Sequence, residues 1–189
     1  VINSTYRKHI VTIEDPVEFV FHSKHSIVSQ REIGIDIPDY DEGLKYIVRQ
    51  DPDVVFIGEM RDHFTMSAAL QAAETGHMVF GSLHTADTAQ AFTRILEFFP
   101  RNEHPFIRSS LANSLAGILA QRLLPGTDPK TAPMVPATEV LLNGPTTKDL
   151  IRREQDSELP KLIAASEKDG MHNFTSSLAR IVREELVYY

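Results

Sequence analysis

Two glutamates and one histidine stand where short apolar runs end. They are typical of a site that activates water beside a metal-bound phosphate. Glu14 ends the run H-I-V-T-I-E, Glu59 follows D-V-V-F-I-G, and His84 follows M-V-F-G-S-L. A carboxylate can take a proton from water, and magnesium binds few carboxylates while keeping several waters. An imidazole in the same place can donate a hydrogen bond to a phosphate oxygen.

A sheet must position these side chains. Runs rich in Val, Ile and Phe predict buried parallel strands, and functional groups in such sheets lie beyond the carboxyl ends of the strands. We therefore expect Glu14, Glu59 and His84 to converge on one crevice. The alternative is that the acids are solvated residues at strand ends. About 23 Å of extended chain separates His77 from His84, so the two cannot share a metal ion, and His77 is expected to be structural as most single histidines are.

The loop after the second apolar run supplies further candidates. Gly58 allows a backbone or a ligand to approach closely. Arg61 and Asp62 are expected to pair and orient the loop, or to form a surface ion pair of little energetic value.

Composition excludes several classes of protein. The 189 residues are enough for one domain with a substantial core, and the net charge of −7 argues against a nucleic-acid binder. The chain has no cysteine, so disulfides and cysteine-based zinc sites are excluded. It has no apolar run of about 20 residues and no signal-peptide core, so we expect no integral membrane segment.

Strand and helix patterns alternate through the first two thirds of the chain. This predicts an α/β fold with a mainly parallel sheet flanked by helices and a C-terminal helical appendage. Thr65 is the expected N-cap of the second helix, and Pro105 is expected to open a long helix with an apolar stripe as far as Ile118. The predicted strands are residues 10–13, 27–33, 54–57, 79–83 and 134–142. The predicted helices are residues 39–50, 65–75 and 88–98, the long helix from 105, and two or three helices within 146–189.

The three motifs together resemble those of the type IV pilus and type II secretion ATPases. T-I-E-D-P-V-E resembles the family's Asp box, F-I-G-E-M-R-D its Walker B motif, and G-H-M-V-F-G-S-L-H-T its His box. The spelling G-E-M-R-D, with A-A-E-T-G-H before the third strand, is most similar to the PilT-type retraction ATPases of twitching motility. The resemblance implies a RecA-like fold, with a partial ATPase domain at 1–143 and a helical subdomain at 144–189.

The resemblance also implies roles for the residues. Glu14 matches the glutamate that activates water, Glu59 the Walker B glutamate that holds Mg²⁺ through water, and His84 the phosphate-sensing histidine. The implied cofactors are ATP and Mg²⁺, and the implied nucleotide-binding residues are Arg61, Thr85 and Arg94. The implied assembly is a cytoplasmic homohexamer at the inner-membrane pilus platform.

Two departures from the family pattern leave alternatives open. The chain has no G-x-x-x-x-G-K-[ST] phosphate loop, since Ser82 follows the Gly76–Gly81 spacing where Lys is needed. We therefore expect a part of a longer product that is inactive alone, or a regulatory subunit without a phosphate loop. Residues 146–153, T-T-K-D-L-I-R-R, match the retraction motif A-I-R-N-L-I-R-E only in part, which leaves pilus assembly or type II secretion open. A metal-dependent hydrolase with Glu14, Glu59 and His84 as direct ligands is a third hypothesis.

Overall fold

The chain forms two compact units, residues 1–84 and 85–188. They are described by a computed structural model, which covers residues 1–188 apart from the side chain of Val48. The domain boundary expected between residues 143 and 144 stays a prediction. No helix in residues 1–188 is long and apolar enough to cross a membrane.

The first unit is a parallel four-stranded sheet with helices. The strands have the order β2-β1-β3-β4, and each neighbouring pair is parallel. The α/β prediction with a mainly parallel sheet is therefore confirmed. The elements are α1 Ile2–Thr5, β1 His9–Glu14, β2 Ile27–Glu32, α2 Tyr40–Ile47, a 3₁₀ turn Val48–Gln50, β3 Val54–Ile57, α3 His63–Glu74 and β4 Met78–Gly81.

One face of this sheet carries the core of the first unit. Successive side chains of a strand point to opposite faces, so Val11, Ile13, Val55 and Ile57 share one face. All four are fully buried and belong to one cluster with residues of α2 and α3. The helix residues of that cluster are Tyr40, Leu44, Ile47 and Ala69. The opposite face carries Thr12 and Glu14 of β1 beside Val54 and Phe56 of β3.

Hydrogen bonds to one carboxylate join the amino ends of β1 and β3. Asp53 accepts from Lys8 Nζ at 2.7 Å and from the His9 backbone N–H at 2.8 Å. The hydrogen bond from Lys8 lowers the pKa of the Asp53 carboxyl below its ordinary 3.8, and the bond from His9 adds to this effect.

Helix α3 begins at a different cap from the one expected. The N-cap is Asp62, whose carboxylate accepts from the Thr65 backbone N–H at 2.8 Å. Thr65 completes the capping box as the third helical residue, so its prediction as the N-cap was wrong. Gly76 follows the helix with φ of 96°, a conformation that suits glycine at a helix end.

The second unit combines an antiparallel hairpin with helices. Strands β5 and β6 pair from Gly117↔Leu142 to Pro125↔Met134. The buried carboxylate of Glu139 in β6 accepts from the backbone N–H and the hydroxyl of Thr88 at 3.0 and 2.7 Å, which anchors the start of α4. The elements are α4 Thr88–Glu97, a 3₁₀ turn Arg101–Glu103, α5 His104–Ser114, β5 Gly117–Pro125, β6 Met134–Leu142, α6 Pro145–Arg152, a 3₁₀ turn Asp156–Glu158, α7 Leu159–Ala165, a 3₁₀ turn Glu167–Asp169 and α8 Phe174–Arg183.

The long helix expected from Pro105 was wrong beyond Ser114. Leu115 has an extended backbone, and Ile118 lies in β5. The Asn143 side chain donates to the carbonyls of Ala112 and Leu115 at 3.1 and 2.7 Å. A residue that follows β6 therefore satisfies carbonyls left at the end of α5, which stabilises the helix end there.

An ion pair between the buried Arg108 and the half-buried Asp156 joins α5 to the helices that follow β6. Both terminal nitrogens of Arg108 donate to Asp156, at 2.8 and 2.6 Å, and one also donates to the Ile151 carbonyl at 3.2 Å. The hydrogen bonds that Arg108 donates to Asp156 raise the pKa of its guanidinium above the ordinary value. We expect Arg108→Met to lower the free energy of unfolding by about 3 kcal/mol, because it leaves the Asp156 charge unpaired. Urea unfolding followed by circular dichroism measures this.

Arg153→Met is the matched control for that prediction. Arg153 pairs with Asp149 at 3.0 Å, but both side chains are more than half exposed. Such an exposed pair is expected to contribute less than about 0.5 kcal/mol. Equal losses for the two variants would contradict the assigned importance of Arg108.

Candidate active site

The carboxyl ends of β1, β3 and β4 meet at one edge of the sheet, as predicted. Ile13 of β1 lies beside Ile57 of β3 in the strand register. Glu14 is the last residue of β1, while Glu59 and His84 follow β3 and β4 within three residues. The sheet order therefore brings the three chain segments that carry these side chains together.

Glu59 and His84 are in direct contact. His84 Nε2 lies 3.4 Å from Glu59 Oε1, with the imidazole 85% exposed and the carboxylate 37% exposed. Two hydrogen bonds hold their loops together: the Met60 N–H donates to the Ser82 carbonyl at 2.9 Å, and the Ser82 hydroxyl donates to the Gly58 carbonyl. Both side chains thus remain accessible on a fixed backbone.

Glu14 has a different environment from Glu59. It is only 6% exposed, and its Oε1 accepts hydrogen bonds from the Thr12 hydroxyl at 2.6 Å and from Gln30 Nε2 at 2.9 Å. The other oxygen, Oε2, accepts no hydrogen bond from residues 1–188. The carboxylate is therefore held by one oxygen, which leaves the second available.

Gly58 sits where a larger residue would crowd its neighbours. A Cβ atom there would lie 3.1 Å from the Ile13 carbonyl oxygen, 3.2 Å from Glu14 Cα and 3.4 Å from the Tyr40 hydroxyl. The close approach expected at Gly58 is therefore to the backbone of β1 and to Tyr40. This contact places the start of the Glu59 loop directly against Glu14.

Tyr40 lies at the centre of a small charged cluster. The Arg61 guanidinium is 5.4 Å from the centre of its ring and 3.8 Å from Asp15 Oδ2. Burial raises the pKa of the Tyr40 phenol above 10, and the negative charges of Asp15 and Glu59 raise it further. Arg61 thus pairs with Asp15 rather than with Asp62, which caps α3.

The other two predicted nucleotide-binding residues belong to the second unit. Thr85 is its first residue and is half-buried. Arg94 in α4 pairs with Glu97 at 2.9 Å and lies 4.8 Å from the centre of the Phe98 ring. Arg94 therefore has a carboxylate and an aromatic partner on its own helix surface.

Two surface depressions contain none of the predicted site residues. One, of about 690 Å³, lies between α2 and α3, and the other, of about 260 Å³, lies beside α8. The strand-end residues are therefore proposed as a site because of their side-chain chemistry and the strand register, and not because they line a cavity.

Comparison with known proteins decides the family. A family model described as "Type II/IV secretion system protein" matches residues 1–175. The chain belongs to this family. It is 40% identical over 186 residues to a twitching motility protein of Neisseria gonorrhoeae, and 38% identical over 186 residues to the type IV pilus retraction ATPase PilT of Pseudomonas aeruginosa. These alignments cover 98% of this chain but 49% and 53% of the two relatives.

A solved structure confirms the fold of this secretion-family chain. The crystal structure of the pilus retraction motor PilT with bound ADP matches with a TM-score of 0.88 and 40% identity, covering 99% of this chain and 52% of that one. The chain thus spans about half the length of the relatives it matches.

The donor set of this secretion-family chain fits a magnesium ion held mainly by water. Glu59 supplies one accessible carboxylate, and magnesium is bound in proteins by one or two carboxylates and several waters. Among residues 1–188, no group of three or more His, Asp or Glu side chains is arranged to hold a metal. The set of three direct ligands required by the hydrolase hypothesis is not assembled in this structure.

Sequence reasoning missed three residues of the site. Thr12 lies two residues before Glu14 on the same face of β1, so strand alternation alone could have indicated it. Gln30 could be found only from the register, which pairs Thr12 with Gln30 across β1 and β2. Tyr40 reaches the site from the first turn of α2, and no local pattern indicates that contact. His77 has the expected structural role, since its Nδ1 lies 3.0 Å from the Ala72 carbonyl at the end of α3.

Proposed function

We propose that this chain carries the acidic part of the catalytic site of a Mg²⁺-dependent ATPase that powers type IV pilus retraction or a related fibre movement. The observation that carries the proposal is the meeting of Glu14, Glu59 and His84 at the carboxyl edge of one parallel sheet. Membership of the secretion family and the likeness to PilT support it. The phosphate loop would come from another part of the full-length protein.

The residues have distinct proposed roles. Glu14 takes a proton from the attacking water through Oε2, since its other oxygen is already engaged by Thr12 and Gln30. Glu59 holds the magnesium ion through water, and His84 donates to a phosphate oxygen from its exposed position beside Glu59. When bound, the ion neutralises charge on the phosphate oxygens.

Three further residues are proposed to bind the nucleotide. Arg61 and Arg94 supply positive charge, and Thr85 supplies a hydroxyl next to His84. Arg94 would have to exchange its contact with Glu97 for a phosphate oxygen. Phosphoryl transfer depends mainly on positioning and charge stabilisation, which such a set of groups provides.

Two residues that match the retraction motif make structural contacts within the second unit. Ile151 in α6 is fully buried, and Arg152 donates to Asn113 Oδ1 at 2.6 Å. Because these two of the three matched residues have structural contacts, they suit retraction and assembly motors equally. We propose retraction because the whole-chain likeness is to PilT. The proposed setting is a cytoplasmic homohexamer at the pilus platform of the inner membrane.

The first experiment is to measure phosphate release from ATP by the full-length gene product, with Mg²⁺ and with the ion removed by EDTA. We expect turnover of roughly 1 s⁻¹ or more with Mg²⁺, the lower end of ordinary enzymes, and none with EDTA. No turnover by protein that has assembled into its native oligomer would overturn the proposal and favour a regulatory subunit without a phosphate loop. A strain that lacks the gene separates the two motor functions. If it still extends pili, the protein is a retraction motor, and if it makes no pili, the protein is an assembly motor.

A further inference from the structure

The Glu14 carboxylate has one anchored oxygen and one available oxygen. Thr12 and Gln30 both donate to Oε1, and Oε2 accepts no hydrogen bond from residues 1–188. The two donors therefore determine which oxygen can face a water molecule. Thr12 is on the same strand as Glu14, so it moves with that strand. Gln30 is on a different strand and can act as an independent constraint.

The Gln30 side-chain amide is held in one orientation by three partners. Its Nε2 donates to Glu14 Oε1 and to the Phe19 carbonyl, both at 2.9 Å. Its Oε1 accepts from the Phe21 backbone N–H at 2.6 Å. A flipped amide would place its oxygen against two acceptors and its NH₂ group against a donor. The amide therefore links Glu14 to the backbone of residues 19–21.

The segment that Gln30 holds has few other anchors. The side chains of Phe19, Val20 and Phe21 are 74%, 73% and 52% exposed, so they add little packing to this connection. Glu32, also on β2, accepts from the Val17 N–H at 3.0 Å. Polar side chains of β2 thus hold this exposed segment, and one of them also holds the proposed catalytic base.

We propose that Gln30 is a positioning residue for ATP hydrolysis. It fixes the Glu14 carboxylate so that Oε2 faces the attacking water, and it makes that orientation depend on the conformation of residues 17–21. This inference rests on the proposed function. Gln30 acts through Glu14 and contacts neither substrate nor metal. A small loss of orientation at a reacting group is enough to reduce a rate substantially.

The test compares Gln30→Met with Gln30→Glu in the full-length protein. Gln30→Met removes all three hydrogen bonds at nearly constant size. We expect kcat to fall about 30-fold, with KM for ATP changed less than twofold. Gln71→Met is the matched control, because Gln71 is exposed on α3 and its side chain makes no hydrogen bond with residues 1–188. Its kcat should equal that of the wild type.

Gln30→Glu separates positioning from a loss of folding. The introduced carboxyl can donate to Glu14 only when it is protonated, and it repels Glu14 when ionised. We expect kcat relative to the wild type to rise at least threefold between pH 8 and about pH 6. The charged groups near this pair, Asp15, Glu32 and Arg61, are present in both proteins, so comparison with the wild type at each pH isolates the interaction between the introduced carboxyl and Glu14.

The outcomes distinguish the inference from the function. A wild-type protein without turnover overturns the proposed function. If the wild type hydrolyses ATP but Gln30→Met retains its kcat, the inference alone is wrong. If Gln30→Met loses activity but the relative kcat of Gln30→Glu does not change with pH, Gln30 is only structural and the inference is also wrong.

Discussion

Glu14→Gln in the full-length protein is expected to reduce Mg²⁺-dependent ATP turnover about 1000-fold, while the affinity for ATP stays within about twofold. The amide has nearly the same shape as the carboxylate. Its oxygen can take the place of Oε1 and accept from Thr12 and Gln30, which leaves the NH₂ group where Oε2 was. An NH₂ group cannot accept the proton of an attacking water, so binding survives and the chemical step does not.

Phosphate release measures the turnover, and a fluorescent nucleotide analogue measures the binding. Glu42→Gln is the matched control: it makes the same chemical change on an exposed side chain in the first turn of α2, outside the three motifs. Its turnover should match that of the wild type. Turnover retained by Glu14→Gln at a tenth of the wild-type rate or more would refute Glu14 as the base.

The parallel sheet could be predicted because three of its four strands are short apolar runs, although the third of these, β4, is largely exposed rather than buried as expected. A short apolar run can be recognised in the local sequence without knowing what packs against it. Strands β1, β3 and β4 were all predicted in this way. Strand β5 was missed because Ile107, Leu111, Leu115 and Ile118 also fit one face of a helix. Helix α5 ends where Asn143, distant in sequence, donates to its carbonyls, and no local pattern contains that contact.

In the candidate site, too, local features could be predicted and contacts between distant residues could not. Strand ends are local features, so Glu14, Glu59 and His84 could be selected from the sequence, and the register explains why their segments meet. The partners of these residues come from elsewhere in the fold. Gln30 reaches Glu14 only because β2 pairs with β1, and Arg61 pairs with Asp15 because β1 and β3 are neighbours. Sequence reasoning therefore finds the reactive groups more readily than the groups that orient them.

Glu59→Gln is expected to lower ATP turnover about 100-fold and to raise the Mg²⁺ concentration needed for half-maximal rate at least tenfold. Glu59 supplies an accessible carboxylate shortly after β3, and the imidazole of the exposed His84 lies 3.4 Å from it. The amide keeps the size of the side chain but removes the charge that would attract the hydrated ion. Excess Mg²⁺ should therefore restore part of the lost rate.

A magnesium titration of the rate tests this role, with Glu42→Gln as the control. Glu42 is an exposed acid in the first turn of α2, and its loss should change neither the rate nor the magnesium dependence. A Glu59→Gln variant with reduced turnover but an unchanged magnesium requirement would show that Glu59 acts on the reaction without holding the ion. In that case the contact of Glu59 with His84 would account for the lost rate, rather than the binding of magnesium. The amide of Glu59→Gln would still fill the space beside His84, but it would no longer carry the negative charge that attracts a protonated imidazole.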